Sequence, residues 1–127
     1  MSDKDIVEKY DRQLKARIIA VDFDNTITLP CPYPYTGELN KTAKKYLDKL
    51  HNKGYRLVLW SARIEKDYEE AYNLCVNEFG MPYIEKDTND LVHGVSGKLI
   101  ASFYIDDLAH PGKLNWRKLY KYITKNI

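Results

Sequence analysis

RIIAVDFDNTIT, residues 17–28, begins as a buried strand and then places two carboxylates, Asp22 and Asp24, where apolar residues or a plain turn are expected. Side chains two apart on a strand share a face, so at the strand's end both acids converge on one point. Charges brought together in this way repel unless something positive sits between them.

Working outward, the chain alternates strands with helices. Residues 3–15 place Ile6, Val7, Tyr10 and Leu14 on one helical face, with Ser2 or Asp3 available as the N-cap. Residues 17–23 form the first predicted strand. TLPCPYPYTGEL, crowded with prolines and containing Gly37, reads as an irregular loop or a small hairpin. A helix resumes after Asn40, where Ala43, Tyr46, Leu47 and Leu50 form a stripe and Gly54 stands at the C-terminal end. YRLVLW (55–60) is the second strand. The stripe of Tyr68, Ala71, Tyr72, Cys75 and Phe79 is the next helix, ending at Gly80, and MPYIE (81–85) and SFYI (102–105) are the third and fourth strands. Trp116, Leu119, Tyr120 and Ile123 share a face of a closing helix. This order predicts an α/β fold: a three-layer, Rossmann-like parallel sheet of about four strands with right-handed crossovers and helices on both faces.

A chain of 127 residues without a Gly/Ser-rich linker or internal repeat is read as one domain over 1–127, with a leading helix in 1–16. Apolar residues make up 44% and charged residues 30%, at net charge +2, which describes a soluble globular chain and does not call for a nucleic-acid partner. The lysines around Lys41–Lys53 and near the C-terminus read as solvated helix faces. The charged first seventeen residues exclude a secretory apolar core, and no run is apolar enough to span a bilayer, so the cytoplasm is the simplest address. Cys31 and Cys75 have neither zinc-site spacing nor a disulfide framework, and His51, His93 and His110 are scattered; none is given a role.

The polar residues collect at the carboxyl ends of the predicted strands: Asp22 and Asp24, then Ser61 and Arg63, then Asp106 and Asp107. Ligands of open parallel sheets bind along that edge. Four carboxylates meeting there call for a hard divalent cation, with Mg2+ the usual choice where phosphate is also a ligand. Lys98 supplies a further positive charge. Capping is the competing account, because Asp favours both strand ends and helix N-caps. It explains any one of these acids but not the set.

VDFDNTIT, with Asp22, Asp24 and Thr26, resembles the DxDx[TV] signature of the haloacid dehalogenase superfamily of phosphohydrolases. LVLWSAR resembles its second motif and GKLIASFYIDD its third and fourth, in matching order from Arg17 onward. The resemblance implies that Asp22 is a nucleophile forming an aspartyl-phosphate, and that Asp24 is the general acid and base, with a pKa raised by neighbouring carboxylates. It implies Mg2+ held by Asp22, the main-chain carbonyl of Asp24 and Asp106, with Asp107 assisting. Ser61, Lys98 and Asn25 would bind phosphate. Lys86 competes with Lys98 for the neutralising role. Thr26 supports the loop or is an ordinary turn threonine, and Arg63 touches substrate or is a salt-bridged surface residue.

Members of this superfamily commonly carry an inserted cap domain, for which this chain has little room. The open site then suits a bulky phosphorylated substrate, a nucleotide or a nucleic-acid end among them, or is covered by a second subunit of a homo-oligomer. Tyr33 and Tyr35 form a flap beside the phosphate or simply pack. Two other readings compete with the phosphatase: a receiver-type phospho-acceptor module, disfavoured because its paired acids come first in the chain, and a non-catalytic binding protein, disfavoured because no motif carboxylate is replaced.

Overall fold

The computed structural model describes residues 2–32, 34–107 and 114–127. Tyr33, His110 and Lys113 lie outside the described residues.

Four parallel strands, β1 (Ile18–Val21), β2 (Arg56–Leu59), β3 (Glu85–Lys86) and β4 (Phe103–Ile105), lie in the order β3-β2-β1-β4. Ile19 pairs with Leu57 on one side and Phe103 on the other, so β1 is central and all four of its residues are buried. The helices are α1 (Asp3–Lys15), α2 (Lys41–Asn52), α3 (Glu65–Asn73) and α4 (Trp116–Asn126). A turn with π-type hydrogen bonding, Leu74–Glu78, extends α3 to the predicted end at Phe79.

The order of the strands explains the layers. From β1 through α2 to β2, and from β2 through α3 to β3, the chain moves in one direction across the sheet. Right-handed crossovers therefore put α2 and α3 on the same face. There Leu47, Leu50, Ala71, Cys75, Trp116, Leu119 and Ile123 pack on Ile19, Val21, Leu57, Leu59 and Ile105. The return from β3 to β4 runs the other way and covers the opposite face. That second face is a smaller cluster of Ile18, Ala20, Val58 and Leu99, over which lie Ala16, Trp60, Leu91, Ala101 and Tyr104. Its covering layer is α1 together with residues 87–102, of which His93 and Leu99 form an isolated antiparallel bridge.

The caps follow the sequence. The Ser2 hydroxyl accepts from Asp5 N, Asn40 Oδ1 from the amides of Thr42 and Ala43, and Asn115 Oδ1 from Lys118 N. Gly54 takes φ +91° after α2. TLPCPYPYTGEL contains the small hairpin: Thr28 bridges Leu39, and Leu29 N donates to Glu38 O. A side chain at Gly37 would bring its Cβ within 2.1 Å of Leu29 O, so the hairpin closes only around glycine.

Two expectations change. The third strand lies at Glu85–Lys86 rather than 81–85, because Met81 and Ile84 are spent on the core and a turn precedes the pairing with β2. On α1, the apolar stripe faces solvent. Its buried residue is Gln13, whose amide nitrogen donates to Val92 O (2.9 Å) and Ile100 O (2.7 Å), and whose oxygen accepts from Val92 N (2.6 Å).

Candidate functional site

Order reverses between β1 and β4, since β1 connects onward to β2 on its other side. Such a switch point leaves a crevice at the carboxyl ends of the strands. Asp22 N donates to Ile105 O, Trp60 N donates to Val21 O, and Asp106 and Asp107 follow Ile105 directly. The crevice is a cavity of about 390 Å³ lined by Asp22, Asp24, Asn25, Trp60, Ser61, Ala62, Asp106 and Asp107.

Carboxylate oxygens of Asp22, Asp106 and Asp107 all lie within 4.8 Å of one another. Burial, above all, pushes the Asp22 carboxyl up to about 8. A hydrogen bond with the Asp107 side chain and the charges of Asp106 and Asp107 add to the rise, while the Phe23 backbone opposes it. No Lys or Arg pairs with Asp22 or Asp107 among the described residues. Three carboxylate oxygens gathered in this way suit a hard divalent cation.

Capping does not account for Asp22. Asp22 stands at the N-cap position of the turn Phe23–Ile27 but makes no side-chain cap bond, and α4 is capped by Asn115 rather than by Asp106 or Asp107.

The turn that follows Asp22 is built by Asn25 and Thr26. Asn25 adopts φ +60°, ψ +13°, a left-handed conformation that Asn tolerates better than most residues. Its amide donates to Thr28 Oγ1 (3.2 Å), and its side-chain oxygen accepts from Cys31 N (3.3 Å). Thr26 is fully buried and its hydroxyl donates to Asp22 Oδ2 (3.4 Å), so it touches the acid rather than serving the turn alone.

Asp24 behaves differently from the sequence expectation. Its carboxylate stands apart from the cluster of three and is gripped by Arg63, whose Nε and Nη2 donate to Oδ2 and Oδ1 at 2.8 Å each. The charge bound to Asp24 is thus a guanidinium and not another carboxylate. Arg63 is not a surface residue either. Its side chain is only 7% exposed, lies over the Phe23 ring and donates to Thr36 Oγ1 of the hairpin. The Asp24 pairing raises the Arg63 pKa further. Nothing in the sequence marks this fork, because Asp24 and Arg63 are 39 positions apart.

Ser61 lines the cavity, and its Oγ accepts from Arg63 N (3.1 Å), which fixes the turn between them. The two lysines separate clearly. Lys86 donates to both oxygens of Glu69, at 2.8 and 2.7 Å. Lys98 has no carboxylate partner among the described residues, and its ammonium lies 4.2 Å from the Tyr104 ring centroid and 5.3 Å from that of Trp60. Those rings meet edge to face, and the Tyr104 hydroxyl is tied to Leu99 O and Ala101 N, either side of the segment that carries Lys98 into β4. Trp60 lines the cavity and Lys98 is not among its lining residues, so the cradle sets Lys98 against a ring of the cavity wall rather than in the wall itself; the two rings carry no charge or metal-ligand pattern that would mark them in the sequence. Tyr35 is 72% exposed, while Tyr33 lies outside the described residues.

No protein-family model and no curated protein matches the chain. Among solved structures, a conserved protein from Bacteroides thetaiotaomicron is 35% identical, with a TM-score of 0.71, over 88% of this chain and 93% of that one.

Proposed function

We propose that this chain, which belongs to one family with the conserved Bacteroides thetaiotaomicron protein, is a Mg2+-dependent phosphatase of the haloacid dehalogenase type. The observation that carries the reading is the trio of carboxylates gathered from the ends of β1 and β4 around one cavity. Asp22, Asp106 and the main-chain carbonyl of Asp24 would hold Mg2+, with Asp107 beside them. The ion would supply charge neutralisation for nucleophile and phosphate.

Asp22 Oδ attacks phosphorus, forming the aspartyl-phosphate as the bond to the leaving oxygen breaks. Asp24, taking up a proton from solvent as one Arg63 bond is exchanged for the substrate, gives that proton to the leaving oxygen and then takes one from the water that attacks phosphorus and frees Asp22. Ser61 and the Asn25 side chain, which both line the cavity, hydrogen-bond the phosphoryl oxygens, and Lys98 neutralises them. The cavity opens to solvent without an inserted domain, which suits a phosphorylated substrate larger than orthophosphate, nucleotides included.

The purified protein should hydrolyse a generic aryl phosphate only with Mg2+, and Asp22→Asn should lose the activity. Full activity in Asp22→Asn sinks the assignment. A stable phosphoryl-protein without turnover would move the reading to a phospho-acceptor module.

A further inference from the structure

The exposed stripe of α1 is the feature that the proposed activity leaves unused. Ile6, Val7, Tyr10 and Leu14 lie on one face, Val7 being 58% exposed, and all four count among the exposed large hydrophobic residues. An amphipathic helix ordinarily turns this stripe to the core. Here three hydrogen bonds to Gln13 anchor the neighbouring face to Val92 and Ile100, and Ser102 Oγ donates to Leu14 O. The helix is therefore fixed to the domain with its apolar face outward, where it meets none of the domain's core.

The charges around the stripe say what covers it. Acidic Asp3 and Asp5 occupy the first turn and basic Arg12 and Lys15 the last. Helical periodicity puts Lys4 and Asp11 on the flank of the stripe away from Gln13, seven residues apart, or ~10 Å along the axis. Both are exposed, and none of the ion pairs among the described residues involves α1. A two-fold axis relating antiparallel helices brings each flank against the same flank of the other copy. With that axis beside Val7, Lys4 meets the partner's Asp11, and the second copy repeats the pair. Val7 then packs on the partner's Val7 and Ile6 on the partner's Tyr10, and each acidic first turn faces a basic last turn.

We infer that α1 is a self-association surface, on which a second copy of this chain pairs antiparallel through Ile6, Val7 and Tyr10 with reciprocal Lys4–Asp11 ion pairs. One helix face is small beside a standard interface of ~800 Å² per partner, so the dimer should be weak and form only at high protein concentration.

Sedimentation equilibrium of the full chain over a concentration series tests this, with circular dichroism and thermal unfolding as controls for folding. Wild type should approach twice the monomer mass, and Val7→Lys should stay monomeric throughout. Lys4→Glu sets two pairs of acids against each other and should weaken association about 10-fold. The double variant Lys4→Glu/Asp11→Lys should restore it. That restoration is diagnostic, because residues 4 and 11 do not touch within one helix, and within that helix each change places like charges at Glu8 and Lys15. A monomer at every concentration, association indifferent to Val7→Lys, or a double variant as weak as Lys4→Glu overturns the inference.

Discussion

Burial and the carboxylates of Asp106 and Asp107 push the Asp22 carboxyl up to about 8, from 3.8 in an unfolded chain. The folded, metal-free protein therefore holds a proton there that the unfolded chain releases. This contribution to stability is complete below the unfolded value and is lost as pH rises towards about 8. Asp22→Asn removes the dependence. Measured by urea unfolding in a chelating buffer, the variant should gain on the order of 1–3 kcal/mol over wild type between about pH 5 and pH 8. The same variant should lose about 10³-fold or more in turnover. Arg63 gives a different signature. Its fork holds both oxygens of Asp24, so Arg63→Met should lower kcat by about 10- to 100-fold with KM less affected, and Arg63→Lys should not restore it, because an ammonium cannot make the paired bonds. Trp60→Ala loosens Lys98 and should weaken inhibition by inorganic phosphate about 5-fold; a Lys98→Ala background should abolish that effect, which separates the cradle from a direct role of the indole.

The elements were largely legible, and the reasons are physical. Stripes of apolar residues located α2, the α3 region and α4, the caps at Ser2 and Gly54 stand where the sequence puts them, and α2 begins directly after Asn40 as expected. Periodicity alone did not settle α1. It marks a face but not what that face meets, and a polar residue with three backbone partners outcompetes the stripe for the interior. Gln13→Ala should accordingly leave the amide of Val92 and the carbonyl of Ile100 without these partners, while Val92 O keeps its bond from Ile100 N, costing about 2 kcal/mol in chemical denaturation and raising hydrogen exchange across residues 87–102. The acids at the strand ends were legible from their spacing. The Arg63 fork and the Trp60–Tyr104 cradle were not, since both depend on which side chains the sheet order brings together.

For the whole molecule, the order β3-β2-β1-β4 creates both the deep core on one face and the crevice between β1 and β4. Among the described residues no helix is long and apolar enough to cross a membrane. Ionising Asp22 in its buried place beside Asp106 and Asp107 opposes folding, and a bound cation would relieve that cost. Mg2+ at about 100 times its dissociation constant should therefore stabilise the wild type by roughly 2.7 kcal/mol, raising Tm by several degrees, and should leave Asp22→Asn nearly unmoved. The most direct test of phosphoryl transfer through this crevice is acid quenching of the Mg2+-loaded protein during turnover of an aryl phosphate, followed by peptide mass spectrometry. A hydroxylamine-labile phosphoryl group on Asp22 is the expected result. Sustained turnover with that carboxylate unmodified, or a phosphoryl group on another residue, contradicts it.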